Sequence, residues 1–329
     1  MKNQYFGDKR DLFKFDLLLD LMMSGRFEQL TYVPMLTKFD PISAEGMLIP
    51  KTSGKYGHGL FEFLSAIPSS TERDVRLWRR YFANQNRFRY HAFRDDSDGY
   101  SFDGRKDYFR SIETNALRRA CVFLDPDIGI ERGSTKYMKR SGLDKYLFLD
   151  DLKELIGRSE DSVVIVYQHL QHDAGKRLGD IKAHLAVACD QLGVKAVPFV
   201  RQNDLGFYAV ATDEALLREV ARVFSSHAEK HARLRQHVTD SLFVVKELFG
   251  AGHDLADLAV FGSVARGEQT RDSDIDVIAS FAGPATLRGY FDLQNRIELS
   301  LGRKIDLVTS KAVRSEMRPA IEGEALRAA

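Results

Sequence analysis

The chain has 329 residues, 44% hydrophobic and 29% charged, which excludes a disordered or fibrous protein and is long enough for two hydrophobic cores. Its 48 Lys and Arg offset 47 Asp and Glu, so any attraction to nucleic acid must come from a local patch. Cys121 and Cys189 lack the spacing of a disulfide framework or a zinc site, and no apolar run approaches the roughly 20 residues of a membrane span. The opening MKNQYFGDKRDLFKFD carries charges where a leader would be apolar, so a cytoplasmic protein without membrane contact is expected.

In chain order, Leu12, Phe15, Leu18, Leu19 and Met22 fall at helical spacing and predict an amphipathic helix over 11–23. Strand-length runs of β-branched and aromatic residues follow at 31–36, 88–93, 120–124, 162–167, 194–200 and 207–211. Helix-compatible stretches at 71–83, 107–119, 144–156 and 175–192 separate most of them, the alternation of βαβ units. Only residues 202–206 join the last two runs, too few for a crossover, so these should form an antiparallel hairpin. The expected fold class is α/β: an amino-terminal, mostly parallel sheet ending in a hairpin, and a smaller carboxy-terminal α+β domain. From 213 to 249 the spacing is helical, and the change of pattern puts the boundary near residue 225, giving domains 1–225 and 226–329.

The densest chemical signal is LAVFGSVARGEQTRDSDIDVI at 258–278. An apolar strand runs into Gly262-Ser263, where the missing β-carbon lets backbone amides approach a phosphate; Ser263 can add a hydroxyl and Arg266 a cation. Within Ser273-Asp274-Ile275-Asp276-Val277 the two acids lie two residues apart, so on a strand both carboxylates share one face. Such a pair repels unless cations intervene, and oxygen-only ligation suits Mg²⁺. Asp306, flanked by apolar residues in KIDLV, is a natural third carboxylate, as a metal ligand or to accept a proton.

Gly262-Ser263, Ala265-Arg266-Gly267, Ser273-Asp274-Ile275-Asp276 and Asp306 together resemble the minimal nucleotidyltransferases of the DNA polymerase β superfamily, over about residues 235–329. The resemblance implies a small mixed sheet, two Mg²⁺ ions on Asp274, Asp276 and Asp306, and a nucleotide held by Gly262, Ser263, Arg266 and Ser273. It further implies an enzyme that moves a nucleoside monophosphate, with ATP the expected donor, to a hydroxyl of a protein or RNA. In similar proteins the domain acts as an antitoxin toward a cognate toxin, so a toxin–antitoxin or phage-defence setting is part of the expectation.

In the amino-terminal part, ACVFLDPDIGIE at 120–131 ends a strand in Asp125-Pro126-Asp127, followed by Gly129 and Glu131, and the next strand ends in Tyr167-Gln168-His169. In open α/β sheets the carboxyl ends of strands line the ligand crevice. These residues and the opening Asn3–Asp8 resemble an uncharacterised bacterial family with a methyltransferase-like Rossmann fold, over about 1–210. No GxGxG loop follows the first strands, and Asp-Pro-Asp lacks the aromatic of the Asp-Pro-Pro-Tyr pattern, so S-adenosylmethionine is not an expected ligand.

A nuclease-like alternative recruits Asp8, Asp125, Asp127, Glu131 and His169 as metal ligands or base; turn acids and a helix cap account for the same residues. Between Arg73 and Arg94, arginines interleave with Trp78, Tyr81, Phe82, Phe88, Tyr90 and Phe93. That mixture can grip nucleic acid or can be a basic face over an ordinary core. Gly54, Gly57 and Gly59 suggest a loop near phosphate, though without Walker spacing. The alternative function is thus an amino-terminal effector acting on nucleic acid, regulated by a nucleotide-sensing carboxy-terminal domain.

Overall fold

A computed structural model describes residues 3, 6–37, 56–67, 73–96, 99–131, 140–270 and 273–328. Gly54 of the glycine cluster, Gln4 and Tyr5 of the opening motif and residues 71–72 of an expected helix lie outside them. The elements up to residue 170 are α1 Lys9–Met23, β1 Gln29–Val33, α2 Leu60–Ser65, α3 Leu77–Phe82, β2 Arg89–Ala92, α4 Arg105–Arg110, β3 Ala120–Leu124, β4 Gly129–Ile130, α5 Arg140–Leu143, β5 Tyr146–Leu147, α6 Leu149–Arg158 and β6 Val163–His169. There follow α7 Arg177–Leu192, β7 Phe199–Gln202, β8 Leu205–Val210, α8 Glu214–Lys230, α9 Leu234–Phe249, β9 Leu255–Phe261, α10 Gly262–Arg266, β10 Ile275–Phe281, α11 Leu287–Leu301, β11 Ile305–Thr309, α12 Arg318–Glu324 and β12 Leu326–Arg327. None of the described helices is long and apolar enough to cross a membrane, and both cysteines are free.

Two compact units result: Met1–Leu170 with Gln202–Leu216, and Gln171–Arg201 with Leu217–Ala329. In the first, β2, β1, β3 and β6 are parallel neighbours. Beside β6 lies antiparallel β8. The chain thus goes from β1 to β2 on one side and returns to β3 on the other, putting a topological switch between the carboxyl ends of β1 and β3. The core behind it is aromatic: Phe15 of α1 stacks on Trp78 of α3 at 3.6 Å and meets Tyr32 and Phe123 edge-on.

Several elements differ from the sequence expectation: the helix expected at 107–119 ends at Arg110 and is followed by a separate 3₁₀ turn at Thr114–Leu117, and of the described part of the helix expected at 71–83 only Leu77–Phe82 is helical. The strand expected from 194 starts only at Phe199, because Pro198 has no N–H to give a ladder. The helix expected from 144 starts at Leu149, since Tyr146 and Leu147 pair instead with Gly129 and Ile130.

In the second unit the sheet runs β11-β10-β9-β12, with β10 antiparallel to β9 and parallel to β11. Parallel neighbours need a crossover, and α11 supplies it. Val238, Leu242 and Val245 of α9 and Leu293, Ile297 and Leu301 of α11 bury the sheet's inner face, where Leu258, Val260, Ile275 and Val277 point. That alternation, apolar inward and polar outward, aims the acids of β10 away from the core.

Candidate functional site

Ile275 and Val277 are fully buried, so Asp276 between them and Asp274 just before β10 lie on the opposite face. In register, Asp276 faces Asp306 of β11 on one side and Phe261 of β9 on the other. Three carboxylates therefore stand at one sheet edge, with the Gly262-Ser263 turn to one side of β10 and the start of β11 to the other. Burial, then the charges of Asp306 and Asp274, hold the Asp276 carboxyl above its ordinary pKa. Three mutually repelling carboxylates have the all-oxygen chemistry that suits a hard divalent cation such as Mg²⁺, although here their oxygens do not all lie within 4.8 Å of one another, Asp274 being turned to Lys304.

Gly262 has φ +68°, and a β-carbon there would collide with Asp276 Oδ2. The turn is glycine because the carboxylate presses against it. The Gly262 N–H donates to Glu324 Oε1 at 2.8 Å, and Arg266 Nη1 donates to Glu324 Oε2 at 2.7 Å. Arg266 also binds Glu268 Oε2 at 2.7 Å. The two groups expected to meet phosphate thus hold a carboxylate of α12, whose pKa the Arg266 guanidinium and then the Gly262 amide pull down. Ser263, in α10, is half-buried. The Ser273 hydroxyl accepts from the Thr270 N–H at 2.9 Å.

A second internal counter-ion is Lys304, whose Nζ lies 3.0 Å from Asp274 Oδ2. Sequence reading missed both Glu324 and Lys304. Lys304 carried a signal, being two residues before Asp306; Glu324, in a polar carboxy-terminal stretch, carried none.

The amino-terminal candidates do not form one cluster. Asp8 caps α1, accepting from Arg10 N at 2.7 Å and Asp11 N at 3.0 Å. Asp125, fully buried after β3, accepts from both Lys14 Nζ, at 2.9 and 3.0 Å, and Tyr32 OH, at 3.2 Å. Burial alone would lower the Lys14 pKa, but Asp125 and Asp11 outweigh it and the ammonium is held well above its ordinary value. His169 Nε2 lies 3.2 Å from Asp204 Oδ2, and Asp127 and Glu131 are half-buried. No three of Asp8, Asp125, Asp127, Glu131 and His169 have ligand atoms within a metal's reach of one another among the described residues. What occupies the switch point is a buried ammonium among carboxylates.

Four of the six aromatics of the 73–94 stretch, Trp78, Phe82, Phe88 and Phe93, are buried, Tyr81 and Tyr90 are half-buried, and Phe82 stacks on Tyr90 at 4.4 Å. Arg79 pairs with Asp95 and Arg76 with Asp74. The base-stacking platform expected as one reading of this stretch is spent on the core, because rings at that spacing are worth more buried than wet.

A nucleotidyltransferase-domain family model matches residues 243–328. A Methanocaldococcus jannaschii protein, provisionally named a protein adenylyltransferase, is 37% identical over 70 residues, 21% of this chain and 70% of the relative. Protein adenylyltransferase MntA of Thermococcus cleftensis is 34% identical over 71 residues, 22% of this chain and 68% of the relative. A crystal structure of a toxin–antitoxin with AMP-PNP is 19% identical and aligns with a TM-score of 0.24, over 26% of this chain and 72% of that one.

Proposed function

We propose, from the premise that this chain belongs to the nucleotidyltransferase-domain family and is an enzyme of the nucleotidyl-transferring class, that it moves AMP from ATP to a hydroxyl of a protein. The observation that carries this is the register pairing of Asp276 with Asp306 beside Asp274, three acids at one edge with the glycine turn alongside. Asp274, Asp276 and Asp306 would hold the Mg²⁺ ions, which when bound supply positive charge to the phosphates and to the attacking oxygen.

The chain's own residues do the rest. The Gly262 amide, Ser263 and Arg266 bind and orient the triphosphate from the β9 side, and Ser273, just ahead of Asp274, reaches it from the start of β10. From the β11 side comes the acceptor, where exposed Asp306 takes its hydroxyl proton. The acceptor oxygen bonds to the α-phosphorus, the bond from that phosphorus to the pyrophosphate oxygen breaks, and pyrophosphate leaves with the electron pair. The second unit carries this transfer; the first, read as a Rossmann-like sheet on its strand order and switch point, selects or carries the acceptor. The motif resemblance supports a toxin as that acceptor, in a reducing cytoplasm.

The test is incubation with α-labelled ATP, Mg²⁺ and host lysate. Wild type should label protein, and Asp274→Ala/Asp276→Ala should lose at least about 1,000-fold of the transfer, roughly 4 kcal/mol of barrier. Equal labelling by the double variant would overturn the assignment.

A further inference from the structure

On the β11 side of the carboxylates lies a cleft of about 520 Å³ lined by Arg222, Ser226, Ser273, Asp274, Arg303 and Lys304, with Gly302 at its base. Its size falls within the ~300–1,000 Å³ of ordinary ligand sites. All of its walls belong to the second unit. One is α8, brought close because Gly302, at φ +62°, has no side chain: a β-carbon would collide with the backbone of Arg218 and Arg222. Ser225 Oγ donating to Leu301 O at 2.6 Å and Arg222 Nε donating to Gly302 O at 3.2 Å fix that approach.

Three cations and one carboxylate line the cleft. Like charges gathered in one concavity repel unless an anion enters. Arg222 and Lys304 are exposed, whereas the Arg303 side chain is only 7% exposed, its Nη2 held by Glu229 and its Nη1 without a hydrogen-bond partner. A guanidinium fixed on one side with donors left over is suited to carboxylate or phosphate. Lys304 is engaged by Asp274; once Asp274 takes a cation, that ammonium also becomes available.

Position separates this cleft from the nucleotide turn. Gly262 follows β9 on one side of β10, whereas Arg303 and Lys304 precede β11 on the other, next to Asp306. We propose that the cleft is the acceptor subsite, and that it selects a protein acceptor whose hydroxyl residue is flanked by anionic groups, either Asp and Glu carboxylates or a phosphoryl group. This rests on the transfer reading above and adds the chemistry of the acceptor segment.

The test uses the full chain with Mg²⁺, α-labelled ATP and synthetic tyrosine peptides flanked by glutamates, phosphoserines, alanines or lysines, and in parallel an oligoribonucleotide with a free 3′ hydroxyl. Transfer to the glutamate or phosphoserine peptides should be at least tenfold faster than to the alanine one, and slowest with lysine; the ratio of the first two separates the anion's sources. Arg222→Glu should raise the acceptor KM about tenfold with the dissociation constant for a fluorescent ATP analogue within twofold of wild type, and Arg222→Lys should restore most of the preference. Transfer indifferent to the flanks, labelling of the oligoribonucleotide in place of peptides, or ATP binding without transfer to any peptide would each overturn the subsite. An equal loss of ATP affinity in Arg222→Glu would assign the cleft to the nucleotide instead. Absence of ATP binding by the wild type would overturn the transfer reading itself.

Discussion

At the residue scale, Gly262 is where least can be changed. A β-carbon would push on the Asp276 carboxylate and would sit at a φ that L-residues avoid at a cost of about 1–2 kcal/mol. Gly262→Ala should therefore cut AMP transfer by about 100-fold or more with a melting temperature within a few degrees of wild type, as read by labelling and by circular dichroism. The Asp-x-Asp pair was legible because strand periodicity gives both acids one face whatever surrounds them. Asp306 was legible as an acid stranded among apolar neighbours. Glu324 was not, since its partners are a backbone amide 62 residues away and Arg266, and no local pattern encodes a contact of that range.

At the element scale, β3 coincides with its expected run at 120–124, and the opening helix and α7 end where their periodicity ends. Strong local periodicity sets these, whereas the late start of β7 and of α6 was set by one proline and by a two-residue pairing that periodicity does not register. The α8 helix crosses residue 225 and packs by its backbone against Gly302, so the hydrogen bonds that tie it to the end of α11 form only while position 302 is bare. Gly302→Ala must separate the two backbones, and should cost about 2–3 kcal/mol of stability as an overpacking change. Urea unfolding followed by circular dichroism would report it; a loss below ~0.5 kcal/mol would mean that α8 can retreat freely.

At the scale of the whole molecule, each unit has its own electrostatic problem. In the first, Asp11 accepts from the Gly7 N–H at 2.9 Å and contacts Lys14 at 3.4 Å, yet burial pushes its carboxyl up to about 7. A folded pKa raised above the unfolded one gives stability that is complete below pH ~4 and is lost as pH rises through about 7. Asp8 is raised for the same reason, burial, and acts in the same direction. The first unit should therefore melt at a lower temperature at pH 8 than at pH 5, and Asp11→Asn, which keeps an acceptor for Gly7, should flatten that slope in a scanning-calorimetry series. The grouping of residues 171–201 with the carboxy-terminal unit was out of reach of sequence reading, because it rests on ties such as Arg201 to Asp240 at 2.6 Å and Lys182 to Glu247 at 2.6 Å.

The two internal counter-ions of the second unit change what ligand binding means there. With Lys304 on Asp274 and Glu324 on Gly262 and Arg266, a metal-bound nucleotide seated as proposed would not add ion pairs to a bare site but would trade partners with pairs already made. Association of that kind is a metathesis: the number of opposite charges in contact is nearly the same before and after. Its free energy is then the small difference between two similar sets of bonds, so affinity should respond weakly to added salt and strongly to anything that tilts α12. A partner that tugged on that helix would set nucleotide occupancy without touching the nucleotide.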